Sequence, residues 1–318
     1  MNLVFMGTPE IARRALEYLY NNTNHKLLAV VTGPDRPAGR GLKLIPSPVK
    51  TTAVKLGVPV FTPEALKDPE FIDRMKEIDA DIFIVVAFRI LPAELFTIPP
   101  KGSINLHGSL LPKYRGAAPI NWAIINGETE TGLTTFFLKK SVDTGNIIYQ
   151  EKIKIEPDDN FSALYEKMAE MAGPVIEKTL DLIASDQIEP IKQDDSLATP
   201  APKISPFDCL IDWGFPAKNV VDFIRGMATT PGAYTYFKDS KLKVLRAVNA
   251  GIDPKEKLRP GQIIPDKHKL LIAVADGAVE ITELLPQGKS KISGNQFLRG
   301  YKPADKEIFG EMPKGVTN

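Results

Sequence analysis

An amide and an imidazole stand two residues apart in the run Asn105-Leu106-His107. If that run is extended, both side chains leave the same face of the strand. The amide can donate to a carbonyl oxygen, and the imidazole can donate or accept a proton. Side by side they suit a developing oxyanion. Gly108 follows at once and permits close backbone approach. A carboxylate that could complete the set is Asp143, in Ser141-Val142-Asp143-Thr144-Gly145. Beside the imidazole it would orient His107 and could take a proton from an attacking amine, directly or through water. Each residue also has an ordinary reading. His107 could simply cap a strand, and Asp-Thr-Gly is a common turn composition.

Two further stretches carry binding chemistry. The loop at residues 33–50 holds Arg36, Arg40, Lys43 and Lys50 against one acid, Asp35. Its prolines and glycines predict a non-helical excursion. Loops of this length in compact domains are often functional, and Arg and Lys on one suit phosphate contact. A solvated surface explains the same composition. Lys241 and Lys243 share a face if they lie on a hairpin, with Lys238 and Arg246 close by. They suit a phosphate backbone or a merely solubilising surface. The opening F-M-G-T-P-E lacks the glycine spacing of a dinucleotide site and reads as a turn before a first helix.

The elements that must position these residues alternate through the first half. Asn2–Met6 is a short apolar strand, with Thr8 as a helix cap and Pro9 at the first helical position. Ile11, Ala12, Ala15, Leu16 and Leu19 recur at helical spacing over 9–21. Further strands are expected at Leu27–Thr32, Val58–Phe61, Ile82–Val86 and Ile104–His107, with extended chain at Leu133–Leu138. Helices are expected over 48–57, Ala117–Asn126 and Phe161–Ala184. The unbroken apolar run Ile82–Val86 is typical of a strand covered on both faces. The alternation predicts an α/β fold: a doubly wound, mostly parallel, Rossmann-like sheet. In such sheets ligands sit at the carboxyl ends of the strands, where Asn105 and His107 fall.

Residues 190–206 are proline-rich without helical periodicity and read as a linker. It would separate a catalytic domain over 1–189 from a second domain over 207–318. There one helix, Ala217–Met227, precedes short β pieces at Ala233–Phe237, Lys243–Val248, Gly261–Ile264, Leu270–Ala275 and Val279–Leu284. Short strands with turn signals predict a small barrel resembling an OB-fold.

Composition narrows the classes. Of 318 residues, 43% are hydrophobic and 25% charged, so the chain is globular rather than disordered. The longest apolar run, Ile82 to Phe88, falls far short of the ~20 residues of a membrane span. The N-terminus reads as a strand rather than a leader. The lone Cys209 excludes an intrachain disulfide and fits a reducing cytoplasm. Three histidines make a metal site unexpected. Residues 1–204 carry 23 Lys/Arg and 26 Asp/Glu, whereas residues 205–318 carry 17 and 13. An excess of four positive charges permits contact with a polyanion without demanding it.

The stretch Asn105–Pro119, N-L-H-G-S-L-L-P-K-Y-R-G-A-A-P, resembles the signature of folate-dependent formyltransferases. The Pro34–Lys50 loop, ending in P-S-P-V-K, and a β-rich part after a linker narrow the resemblance to the methionyl-tRNA formyltransferase family. The likeness runs nearly end to end. It implies Asn105, His107 and Asp143 as the catalytic set and Ser109, Leu110, Leu111 and Pro112 as the folate-binding segment. It implies Arg36, Arg40, Lys43, Lys241 and Lys243 as tRNA contacts. The implied reaction moves a formyl group from 10-formyltetrahydrofolate to the α-amino group of initiator methionyl-tRNA. It needs no metal, and a cytoplasmic monomer without membrane contact is expected. Two segments depart from the family pattern: Ala87-Phe88-Arg89, where relatives often show Ala-Tyr-Gly, and Lys139–Val142 before Asp143. The competing readings are a related formyltransferase acting on a sugar nucleotide or purine precursor, a nucleotide-binding oxidoreductase, and a non-catalytic tRNA-binding protein.

Overall fold

The computed structural model describes residues 1–38, 43–252, 258–304 and 307–310, with the backbone alone at 38 and 43. The chain opens with β1 (Asn2–Gly7), whose residues Leu3, Val4, Phe5 and Met6 are all fully buried. Helix α1 (Glu10–Asn22) buries Ile11, Ala12, Ala15, Leu16 and Leu19, the stripe that its sequence repeats. Its entry differs from expectation. Pro9 stands at the cap position, and no side chain caps the helix. Glu10 instead places a carboxylate in the first turn, where the helix dipole favours it. After β2 (Lys26–Val31), the basic loop contains a short antiparallel hairpin, β3 (Arg36–Ala38) with β4 (Lys43–Ile45). It ends at Ser47, whose Oγ accepts from Lys50 N at 3.0 Å and caps α2 (Pro48–Lys55).

Next come β5 (Val60–Phe61), α3 (Pro69–Glu77), β6 (Ile82–Val86), α4 (Ala93–Phe96), β7 (Ser103–His107), β8 (Arg115–Gly116) and α5 (Pro119–Ile125). They are followed by β9 (Glu130–Phe137), β10 (Ile147–Lys154), α6 (Phe161–Ala184) and β11 (Pro200–Ala201). The main sheet runs in the order β10-β9-β7-β6-β1-β2-β5. From β7 to β5 every pairing is parallel, and β9 and β10 add an antiparallel edge. Consecutive residues of β1 and β6 are buried on both sides of the pleat, so both faces of the sheet are covered.

The chain packs as two compact units. The first comprises Met1–Pro119, Glu130–Lys154 and Tyr165–Ala201; the second comprises Ile120–Thr129, Ile155–Leu164 and Pro202–Asn318. Residues 190–201, expected to belong to a linker, pack with the first unit. The reason is local: β11 pairs with β8 in parallel, and Arg115 N and Ala118 N donate to Thr199 O and Ala201 O.

The second unit contains α7 (Ala217–Met227) and an antiparallel sheet of β12 (Tyr234–Phe237), β13 (Ser240–Asn249), β14 (Ile263–Ile264), β15 (Leu270–Val274), β16 (Gly277–Pro286) and β17 (Ile292–Ser293). A last helix, α8 (Gly294–Tyr301), follows. The strand order is β12-β13-β16-β15-β14, with β17 on β16. The segment 307–310 joins the two ends of that order. Phe309 N donates to Gly261 O at 2.7 Å beside β14, and Gly310 N donates to Tyr236 O on β12 at 2.9 Å. The sheet thereby closes into the small barrel. Phe237, Phe297 and Phe309 fill its interior, with Phe237 and Phe297 each edge-on to Phe309 at centroid distances of 5.5 and 5.6 Å. Among the described residues no helix is long and apolar enough to cross a membrane.

Candidate active site

Strand β7 sets the first two residues. It lies between β6 and β9, with Asn105 opposite Val85 and Phe136, and His107 opposite Thr134. The pleat puts Asn105 and His107 on one face. His107 is only 6% exposed, while Asn105 is half-buried. Among the described residues no hydrogen bond engages the Asn105 amide, which leaves its donors available to a ligand. His107 Nε2 lies 2.8 Å from Tyr114 O. A carbonyl only accepts, so Nε2 carries the hydrogen and Nδ1 is left for chemistry. Tyr114 is held in turn: its φ is +60°, and its N–H donates to Thr199 Oγ1 at 2.8 Å.

Asp143 comes from the loop between β9 and β10 and has a left-handed φ of +54°. Its Oδ2 lies 3.9 Å from His107 Nδ1. The same oxygen accepts from Gly116 N at 2.9 Å. Gly116 has φ +128°, and a Cβ there would sit 2.5 Å from Ala201 O. Glycine is therefore required where β8 meets β11. At 3.9 Å the carboxylate and imidazole face each other just beyond direct hydrogen-bond range. That spacing accommodates a proton-bearing group donating to either. The Asp143 loop is also tied from outside. Gln193 Nε2 donates to Asp143 O at 2.9 Å and to Gly145 O at 2.8 Å. Gln193 Oε1 accepts from Arg115 Nε and Nη2.

The run after β7 is stapled to the sheet. Ser109 Oγ donates to Lys113 O at 2.6 Å. Thr134 Oγ1 donates to Ser109 O at 2.6 Å and accepts from Leu111 N and Gln150 Nε2. Gln150 Nε2 also donates to Leu111 O. Leu111 packs with Phe136 and Ile147, and Leu111-Pro112 is a cis peptide. Among the described residues no group of three His, Cys, Asp or Glu converges on a metal position.

Comparison with known proteins places this geometry in a family. A formyl transferase family model matches residues 1–180, and a formyl transferase C-terminal domain model matches residues 203–302. A methionyl-tRNA formyltransferase of Bacteroides fragilis is 43% identical over 95% of each chain. That of Caldanaerobacter subterraneus is 42% identical over 95% of this chain and 97% of its own. The chain belongs to the methionyl-tRNA formyltransferase family. The fold extends to more distant proteins. A sugar 3N-formyltransferase, WlaRD, solved in the presence of dTDP and 5-N-formyl-THF, superposes with a TM-score of 0.64 at 18% identity, covering 91% of this chain and 99% of its own.

The methionyl-tRNA formyltransferase resemblance marked Ser109–Pro112 for the folate, and the structure divides these four residues. Ser109 and Leu111 are buried, whereas Leu110 and Pro112 remain half-exposed. In the altered segment, Arg89 reaches back to donate to Pro63 O and Glu64 O at 2.8 Å each and lies over the Phe88 ring. Among the described residues its Nε is buried without a partner, and burial pulls the guanidinium below its ordinary pKa. Of the basic residues marked for tRNA, Arg36 is exposed on β3. Arg40 and the Lys43 side chain lie outside the described residues. Lys50, in the same loop, is paired with Asp35 at 2.8 Å. Lys241 and Lys243 share a face of β13 and line a cleft of about 230 Å³ with Lys289. Lys241 Nζ sits 3.5 Å above the Tyr234 ring centroid, and Lys243 Nζ donates to Pro231 O at 2.9 Å.

Sequence reasoning passed over Tyr114, Gln193 and Thr199, which orient the imidazole and the Asp143 loop. Tyr114 stands inside the matched signature, but its contribution is a backbone carbonyl, which no side-chain pattern reports. Gln193 and Thr199 stand in the segment read as linker.

Proposed function

We propose that this chain transfers the formyl group of 10-formyltetrahydrofolate to the α-amino group of initiator methionyl-tRNA. The observation that carries the reading is the Asn105 amide, unengaged among the described residues, on the same face of β7 as the His107–Asp143 pair. The relatives named for this activity supply the acceptor.

In this reading the folate contributes a formyl carbon activated by its bond to N10. The unprotonated amine attacks that carbon, a new C–N bond forms, and negative charge grows on the formyl oxygen. Asn105 donates to that oxygen. The amine proton leaves into the gap between His107 Nδ1 and Asp143 Oδ2, where two acceptors await it. The bond to N10 then breaks and N10 takes up a proton. Tyr114 O keeps His107 in the Nε2–H tautomer throughout. Leu110 and Pro112 offer contact surface for the folate, while Ser109 and Leu111 hold the turn that presents them. No residue is assigned to a metal. Arg36, Arg40, Lys43, Lys241 and Lys243 are the proposed phosphate contacts of the tRNA, and a role in translation initiation places the enzyme in the cytoplasm, working as a monomer.

The test is a formyl-transfer assay with charged initiator tRNA and 10-formyltetrahydrofolate. N-formylmethionyl-tRNA is the expected product. Transfer to a sugar-nucleotide amine or a purine precursor, with none to methionyl-tRNA, overturns the reading.

A further inference from the structure

The segment after α6 supplies a residue to the site that neither the family signature nor the proposed catalytic set contains. Gln193 is only 5% exposed, and its amide is fully engaged. Both hydrogens of Nε2 go to carbonyls, Asp143 O at 2.9 Å and Gly145 O at 2.8 Å. Oε1 accepts from Arg115 Nε at 3.0 Å and Nη2 at 2.7 Å, and Arg115 Nη2 also donates to Asp195 at 2.8 Å. Carbonyls only accept and a guanidinium only donates, so a flipped amide would lose all four bonds. The side chain therefore has one orientation.

That orientation joins two backbone segments which meet at the reacting carboxylate. One is the Asp143–Gly145 turn. The other is β8, where Arg115 precedes the Gly116 N–H that donates to Asp143 Oδ2 at 2.9 Å. Gly145 cannot retreat from its neighbours: a Cβ there would lie 1.6 Å from Phe137 O, so the turn is pressed on β9. With the turn seated on one side and clamped by Gln193 on the other, the carboxylate stands 3.9 Å from His107 Nδ1. A site that relies on this gap to receive a proton depends on holding it open to a fixed width.

We infer that Gln193 is a positioning residue for the transfer step, setting the separation of Asp143 from His107 through the backbone of the Asp143–Gly145 turn. The inference rests on the proposed formyl transfer and on Asp143 taking part in it. Gln193 touches no reacting atom. Its effect reaches the reaction only through Asp143, and this distinguishes it from a residue that merely stabilises the fold.

The experiment is a double-mutant cycle in the full chain, with formylation of methionyl-tRNA as the readout and thermal melts alongside. Gln193→Met keeps the length and removes every hydrogen bond. It should lower kcat by about 10- to 100-fold, the loss expected when a reacting group is displaced by ~1 Å. KM for tRNA and for folate should stay within about twofold. In an Asp143→Asn background the same change should cost less than about threefold, because partners acting through one group are not additive. Should Gln193→Met melt below the assay temperature, Arg115→Met serves instead. It leaves the two donations to the turn intact and should give a smaller loss with the same non-additivity. Equal losses in both backgrounds, or a loss confined to KM or to melting temperature, overturn the inference. An inactive wild-type chain overturns the proposed function instead, so the two failures are distinct.

Discussion

The hydrogen on His107 is placed by a backbone atom rather than by the carboxylate beside it. Tyr114 O can only accept, so Nε2–H points to it and Nδ1 faces Asp143. Asn105 then has a separate task, donation to the charge that grows on the formyl oxygen. Replacing Asn105 by Ala should lower kcat by about 10²- to 10³-fold, the usual cost of one oxyanion donor. His107→Ala should fall at least as far, with circular dichroism unchanged in both; near-normal turnover in either removes that residue from the site. Asp143→Asn keeps the acceptor for Gly116 N–H and loses the charge, so single-turnover chemistry should slow more than folate binding weakens. Ser109→Ala is expected to act on stability instead. Ser109 is buried and its hydroxyl donates to Lys113 O, and losing that bond should cost about 0.5–1.5 kcal/mol by denaturant titration. Asn105 and His107 were legible because a spacing of two on a strand is a statement about faces. Asp143 was legible as a carboxylate near a strand end, but its reach to His107 was not. That reach depends on a left-handed residue, a glycine pressed on a carbonyl and an amide fifty positions away, none of which leaves a periodic mark.

Elements with a long apolar repeat could be read directly, and several short ones could not. Helix α1 and strand β6 announce themselves through five buried residues each. Helix α3 buries only Phe71 and Met75, one turn apart, too little to separate it from a loop by pattern. Helix α8 did carry a readable signal: Ser293 and Gln296 form a capping box, each side chain bonded to the other's backbone. Strand β10 lies at the sheet edge, buries only Ile147 and Ile153 and exposes Gln150, Lys152 and Lys154, so its sequence carries no regular alternation to read. The contact of β8 with β11 has its own test. In Gly116→Ala the new methyl would meet Ala201 O, and the backbone is already at φ +128°. The two strands must part, taking the Gly116 N–H away from Asp143. A drop in both melting temperature and kcat is expected, and wild-type kcat in a folded variant would show that this donation is dispensable.

For the molecule as a whole, the distribution of charge makes demands on how a polyanion is held. Residues 1–204 carry a net −3 and residues 205–318 a net +4, so attraction has to be local. Lys241 over the Tyr234 ring and Lys243 bonded to Pro231 O are held in place and not free to sweep solvent. Replacing both by Ala should weaken tRNA binding and flatten its salt dependence by about 0.7–0.9 in log–log slope per lost phosphate contact. Arg40→Ala should additionally reduce the preference for initiator over elongator methionyl-tRNA. Equal losses on both tRNAs would make that loop an ordinary basic surface. Packing also changes what a fragment can be. The second unit contains Asn121, bonded to Gly226 O, and the carbonyl of Asp159, bonded to Arg225. A fragment beginning at residue 202 lacks both and should melt well below the same unit in the intact chain. The barrel adds a matter of timing. Among the described residues, its two outer strands, β12 and β14, are joined through residues 307–310. The ribosome delivers that segment after every described strand of the sheet, so until then β14 presents an open edge and β12 one met near Tyr234 by Leu210 and Ile211, each a template for another nascent chain. A polypeptide stalled at residue 306 has all its barrel strands and no barrel.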